Sequence, residues 1–438
     1  MAASGDGARA HPGFGEATKV WATIGLLSFG GPAGQIALMH RMLVEERRWV
    51  SEPRFLHALN FCMLLPGPEA QQLATYVGWL LHGTRGGIVA GTLFVLPGLA
   101  VILALSTLYA LYQDTGWLAG VFFGLKAAVL AIVVEAVIRI GRRALKGPFA
   151  VALAAVAFVA IYVFHVPFPL IVVAAGLAGY LYARKQPGDG KVDILAEASL
   201  PPHGGPLRVI LVWGTLWVAP ILAFGLVGGW DGIYPKLALF FSWLAVVTFG
   251  GAYAVLAYVA EAAVSSFGWL APGEMLDGLA LAETTPGPLI IVLSYVGYIA
   301  AFRAETGLDP VLAGLVGGIL TAWVTFVPCF LWIFLGAPHV ERLRGNVGLS
   351  GALSAITAAV VGVILNLALW LGLHVLFREV GVLDLGPASP AWPVWSTVDP
   401  VAVALMLVAM VALFRLRLGI VATLGLCGLL GLGVRFLA

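Results

Sequence analysis

LLPGPEAQQLATYVGW at residues 64–79 and TTPGPLIIVLSYVGY at residues 284–298 set Pro-Gly-Pro inside two apolar segments, 220 residues apart. Neither segment can be one continuous α-helix. Each proline removes a backbone donor and its ring clashes with the preceding turn. The glycine between them adds backbone freedom. In a hydrocarbon solvent such a break bares carbonyls and amides, and is tolerated only where they face protein or a water-filled cavity.

Working outward, the same offset recurs. Phe29-Gly30-Gly31 returns as Phe249-Gly250-Gly251, Trp49 as Trp269, and eleven of the forty positions from 29 to 68 are identical in 249–288. Pro97 and Pro328 correspond further on, after an insertion near 302–310. Two long copies are a duplication, not a short-period solenoid.

The surroundings of these motifs are lipid-like. The chain has 438 residues, 61% apolar and 11% charged, with a mean hydropathy of +0.99. Soluble domains run at about 45–50% apolar and about 25% charged. Continuous apolar runs exclude a transmembrane β-barrel, whose strands alternate. A net charge of +2 argues against a nucleic-acid partner, which selects a basic face. Cys62, Cys329 and Cys427 sit singly in apolar runs, without metal or disulfide spacing. Residues 1–16 are Gly/Ala-rich and lack the apolar core of a signal peptide.

The expected fold is an all-α polytopic membrane protein. A span needs about 20 mostly apolar residues, and about thirteen candidates follow: 17–40, 55–82, 86–112, 118–138, 148–164, 168–183, 209–228, 236–262, 275–300, 311–335, 348–377, 400–414 and 418–436. The domains read as an N-terminal repeat 1–183, a polar cytoplasmic linker 184–207 and a C-terminal repeat 208–438. Alternating spans put fourteen Lys and Arg on one side and eight on the other. The positive-inside rule makes the richer side, with the N-terminus, cytoplasmic. Arg41, Arg47, Arg48 and Arg54 run against it. Treating 55–82 and 275–300 as re-entrant hairpins would move them inside but send Arg342, Arg344, Arg415 and Arg417 outside. An offset of seven spans between copies is odd, so the second copy enters the membrane upside down. Inverted repeats with interrupted helices point to a carrier whose site lies at the repeat interface.

The candidate site follows from those breaks. Half-helices starting near Glu69 and Leu289 turn their positive dipole ends toward an anion. The expected substrate contacts are Gly30, Gly31, Pro66, Gly67, Pro68, Gln71, Gly250, Gly251, Thr284, Thr285, Pro286, Gly287 and Pro288. Charges inside spans are functional candidates. Lys126 suits an anion, its other reading being a stem that snorkels to the headgroups. Glu69 and Glu283 are candidate proton-coupling groups. Their other readings are a helix N-terminal cap for Glu69 and a packed neutral acid for Glu283. No metal or cofactor is expected.

FGGPAGQIALMH (29–40), LLPGPEAQQLATYVGW (64–79), FGGAYAVLAYV (249–259), TTPGPLIIVLSYVGY (284–298) and GLKAAVLAIVV (124–134) resemble the paired motifs of the chromate ion transporter family in its two-domain long form. The resemblance covers almost the whole chain. It implies export of chromate from the cytoplasm across the inner membrane, driven by the proton-motive force, and resistance to chromate. The second copy carries Ala252 where the first has Pro32, so the two turns need not be equivalent. The residues do not separate chromate from sulfate, a dianion of similar shape. No P-loop is present, and no clustered nucleophile or metal set supports an intramembrane enzyme. The expected partners are chromate or sulfate and the lipid bilayer, with a homodimer as a possible assembly.

Overall fold

A computed structural model describes residues 12–113, 115–185, 205–249, 252–337, 347–383, 386 and 388–437. Most of the expected 184–207 linker, Gly250, Gly251, Arg342 and Arg344 lie outside the described residues.

The first copy begins with α1 (Phe14–Leu27), α2 (Gly31–His40) and α3 (Glu52–Cys62). The segment 17–40, continuous on the sequence reading, is broken at the FGG motif. Gly30 has φ 89° and Gly31 φ 69°, a left-handed region that residues with a Cβ seldom enter. Beyond α2 the helix widens into a π-turn over Arg41–Glu46, and Trp49 N–H closes it on the Leu43 carbonyl at 2.8 Å. The second copy repeats the π-turn and its closure. There α9 (Ile233–Val247) ends before the FGG motif and α10 (Ala252–Glu261) widens over Ala262–Ser266. Trp269 N–H then closes on Ala263 at 2.8 Å. The segment 236–262 is therefore broken as well.

After Pro-Gly-Pro, α4 (Glu69–Tyr112) turns back on itself at His82 and Gly83, where φ/ψ leave the helical region. Its two arms pack through small residues: a Cβ on Gly78 would lie 2.5 Å from the Gly86 carbonyl and 2.5 Å from the Ala90 Cβ. Close backbone approach of this kind is how membrane helices associate without a hydrophobic driving force. In the second copy α11 (Pro272–Thr284) precedes Pro-Gly-Pro, and α12 (Val292–Arg303) packs on α13 (Pro310–Gly336) with Gly297 against Gly317 and Thr321. The Tyr76-Val77-Gly78 triplet returns as Tyr295-Val296-Gly297, one residue short of the 220 offset. A 3₁₀ turn at Leu289–Ile291 absorbs the missing residue. Three residues at about 2.0 Å rise cover the same axial distance as four at about 1.5 Å.

The chain divides into two compact units, each assembled from discontinuous stretches. One takes residues 1–103, 190–251 and 285–345; the other takes 104–189, 252–284 and 346–438. In the first unit the outer arm of α4 and α13 are repeat counterparts, carrying Pro97 and Pro328. A Cβ on Gly87 would meet the Phe334 ring at 2.8 Å, one on Gly91 the Phe330 ring at 2.7 Å, and one on Gly318 the Leu103 side chain at 2.5 Å. Numbers rise along one helix as they fall along the other, so the two run antiparallel. Equivalent elements packed antiparallel are what an inverted duplication leaves. The helix α8 (Pro206–Gly228) flanks α13 and α9 in this unit. Exposed Leu226 and Val227 mark it as lipid-facing.

The second unit packs α5 (Gly116–Ala144), α6 (Pro148–Tyr162) and α7 (Phe168–Lys185) with α14 (Val347–Leu376), α15 (Pro400–Met410) and α16 (Ile420–Leu437), together with α10 and α11. Glycines again set the contacts: Gly124 faces the Cys427 carbonyl and Gly179 the Gly351 carbonyl. A small hairpin of β1 (Val380–Val382) and β2 (Ala391–Pro393) joins α14 to α15. Among the described residues six helices, within α4, α5, α8, α13, α14 and α16, are long and apolar enough to cross a bilayer, and shorter apolar helices accompany them.

Candidate functional site

The Pro-Gly-Pro turns are tied to the opposite copy. Gly67 N–H donates to the Thr248 carbonyl at 2.8 Å, and Gly287 N–H donates to the Ser28 carbonyl at 2.8 Å. Both partners obey the 220-residue offset, so each copy's glycine is held by the residue just before the other copy's FGG. Ser28 and Thr248 are buried, and their hydroxyls turn back to Ile24 and Leu244 in their own helices. That leaves each main-chain carbonyl to terminate its helix on the neighbouring turn, an ending that a lipid-embedded backbone needs.

Side contacts complete the two crossings. Gly98 approaches so closely that a Cβ there would lie 2.1 Å from the Pro286 carbonyl. At the repeat-related place, Cys329 lies against Gly67. Gln72 Nε2 donates to the Pro66 carbonyl at 2.7 Å, and Gln35 Nε2 donates to the Gly287 carbonyl at 2.5 Å. The amides of Gly67 and Gly287 are thus engaged by protein. The first helical bond of α4 is Gln72 N–H to Pro68 O, so the amides of Glu69, Ala70 and Gln71 precede it and have no intrahelical acceptor.

The first unit also buries a polar set. Gln35, Gln71, Gln72, Thr75, Thr285, Ser294, Thr321 and Thr325 are all buried. The Oε1 atoms of the three glutamines, Ser294 Oγ and Thr321 Oγ1 meet no hydrogen-bond partner among the described residues. Buried polar atoms without partners cost free energy, so their concentration here marks a place built for water or a polar ligand.

Of the residues singled out from sequence, Gly30, Gly31, Pro66–Pro68, Gln71 and Thr285–Pro288 gather in the first unit, as does Glu69 at the start of α4. Lys126, Glu283 and Thr284 belong to the second. Gly250 and Gly251 lie outside the described residues. Lys126 is not a lone cation: its Nζ lies 3.1 Å from Asp277 Oδ1, and Tyr109 donates to Asp277 Oδ2 at 2.9 Å. Glu283 accepts from Tyr253 at 2.9 Å through Oε1, while its Oε2 meets no partner among the described residues. Thr284 Oγ1 donates back to Leu281.

Asp277, Ser28, Thr248 and Gln35 were missed by the sequence reading. Asp277 carried a usable signal, a carboxylate five residues into the helix that leads to Pro-Gly-Pro. Ser28 and Thr248 carried another, a hydroxyl residue preceding FGG in both copies.

A model of the family described as Chromate transporter matches residues 15–180 and 235–432. The chain is 28% identical over 364 residues to a protein of Synechococcus elongatus named "Probable chromate transport protein", covering 83% of this chain and 86% of that one. It is 34% identical over 345 residues to a Pseudomonas aeruginosa "Chromate transport protein", covering 78% and 76%. To the "Chromate transport protein" of Cupriavidus metallidurans it is 28% identical over 346 residues, 78% of each chain. No solved structure matches it.

Proposed function

We propose, since this chain belongs to the chromate transporter family, that it is a secondary active carrier moving chromate out of the cytoplasm across the inner membrane and so conferring chromate resistance. The observation that carries the reading is the pair of crossings, Ser28 with Gly287 and Thr248 with Gly67, between copies whose equivalent helices run antiparallel. Inverted halves meeting at interrupted helices are the architecture of alternating access around one site. The FGG and Pro-Gly-Pro breaks of the second copy also fall where the chain passes between its two units, at 251/252 and 284/285.

Within the first unit the proposed chromate contacts are the first amides of α4 and of the half-helix after Pro288, Gly30, Gly31, Gln71 and Thr285, and within the second they are Thr284 and, as the cation, Lys126. Glu69 and Glu283 are the proposed proton-coupling carboxylates. The energy source fits the cargo. A membrane potential is worth about 2.3 kcal/mol per charge per 100 mV, so an interior-negative potential favours exit of a dianion by about twice that. Sulfate shares that charge and shape, and serves as the competitor to test.

Counterflow tests both carrier and cargo. Liposomes holding the purified protein and preloaded with unlabelled chromate should take up labelled chromate transiently above equilibrium, with sulfate competing weakly. Uptake that is indifferent to preloading would indicate a channel. Overshoot with sulfate but none with chromate would reassign the substrate.

A further inference from the structure

We propose that Asp277 is a built-in substitute for the transported anion: it occupies Lys126 while the carrier is empty, and the incoming dianion displaces it. This rests on the chromate reading and adds to it a residue that controls affinity.

The geometry separates this from an ordinary ion pair. Lys126 lies ten residues into α5, about 15 Å from its first residue along the helix axis. Its Nζ turns to α11, lying 3.1 Å from Asp277 Oδ1 and close to Gly273, one turn before Asp277. The two partners are unequally covered. The Asp277 side chain is 8% exposed and that of Lys126 24%. The carboxylate therefore sits behind, wedged between Lys126 and the Tyr109 hydroxyl, while the ammonium keeps an open side. An ammonium has three donors, and among the described residues Asp277 is the acceptor that Lys126 meets. An anion can approach from the open side without unpacking α11.

The other charged or titratable groups facing Asp277 are Tyr109 at the end of α4 and Glu274 on α11 itself. Glu274 is occupied in capping α11 through the Ala271 amide at 2.8 Å. Neither competes with chromate for the open side of Lys126. A buried ion pair is a poor way to gain stability, since apolar residues of similar volume often do as well or better. A pair at this depth with one exposed pole is instead an exchangeable partner. In the empty state the carboxylate neutralises Lys126, so no bare charge faces hydrocarbon; in the loaded state chromate does, and the displaced Asp277, still held by Tyr109 through Oδ2, is neutralised by a proton on Oδ1.

The test is chromate binding to purified protein in nanodiscs by calorimetry. Asp277→Asn removes the competing charge and keeps the shape, and should tighten chromate binding about tenfold, the order expected for one charged hydrogen bond. Asp277→Glu keeps a carboxylate and should not tighten it. Asp277→Ser, smaller and equally neutral, makes the same test if the Asn protein does not fold. A structural pair predicts the opposite sign, with weaker binding as the site loosens. Wild-type binding with unchanged or weaker binding in the neutral variants overturns this inference alone. Absence of binding by the wild type overturns the chromate reading and this inference with it.

Discussion

Gly287→Val and Gly67→Val should each abolish chromate transport, and to the same extent. Gly287 has φ 91° and Gly67 φ 117°, where a β-branched residue is an outlier. Such strain costs about 1–3 kcal/mol. The space is also taken. A Cβ on Gly67 would lie 2.9 Å from Gln72 Nε2 and 3.0 Å from Cys329 Sγ, and one on Gly287 would lie 3.3 Å from the Phe94 carbonyl. Relief moves the turn, and moving the turn gives up the hydrogen bond to Ser28 or Thr248, worth about 0.5–1.5 kcal/mol net. Gly214, on lipid-facing α8 with nothing within 4 Å, supplies the control, and Gly214→Val should transport normally. The measurement is vesicle uptake per amount of monodisperse protein on size exclusion. Well-folded Gly67→Val protein transporting at the wild-type rate would remove the crossing from the transport cycle.

Lys126→Met is the second large effect, and here stability and affinity move together. Removing the lysine leaves Asp277, 8% exposed, as an uncompensated buried charge. Breaking a buried pair from one side costs about 3–5 kcal/mol, and the partial exposure of Lys126 places this case near the lower figure. The thermal midpoint of the solubilised protein should fall clearly. The double variant Lys126→Met/Asp277→Leu, with no stranded charge, should recover most of it. Chromate affinity should fall about tenfold to a hundredfold in Lys126→Met through loss of a charged hydrogen bond and should not return in the double variant. Lys126→Arg should retain part of it. Unchanged affinity in Lys126→Met would take the lysine out of the site.

Much of this was legible in the sequence because the strongest signals there are local and doubled. Pro-Gly-Pro announces helix breaks through proline and glycine stereochemistry alone, and the offset it shares with FGG announces the duplication. What did not follow was where the broken ends go. Nothing local in Ser28 says that its carbonyl will meet Gly287, since that contact joins residues 259 apart in sequence. The inversion rested on counting spans, a fragile parity, whereas Gly87, Gly91 and Gly318 show it through their contacts with Phe334, Phe330 and Leu103. Lys126 was found as a charge in an apolar run, but its partner was not. A single Asp near the start of α11, close to Pro272 and Glu274, reads as part of a polar helix end until packing places it on α5. Gly67 and Gly287 were expected among the substrate contacts, and their amides are spent on Thr248 and Ser28 in holding the copies together.

The most direct test of the account is chromate accumulation in everted inner-membrane vesicles energised by respiration, where the cytoplasmic face is outermost. Accumulation above the external concentration is expected, dependent on the protein and collapsing on addition of a protonophore. Accumulation that is equal with and without energisation, or that occurs only in right-side-out vesicles, would contradict it.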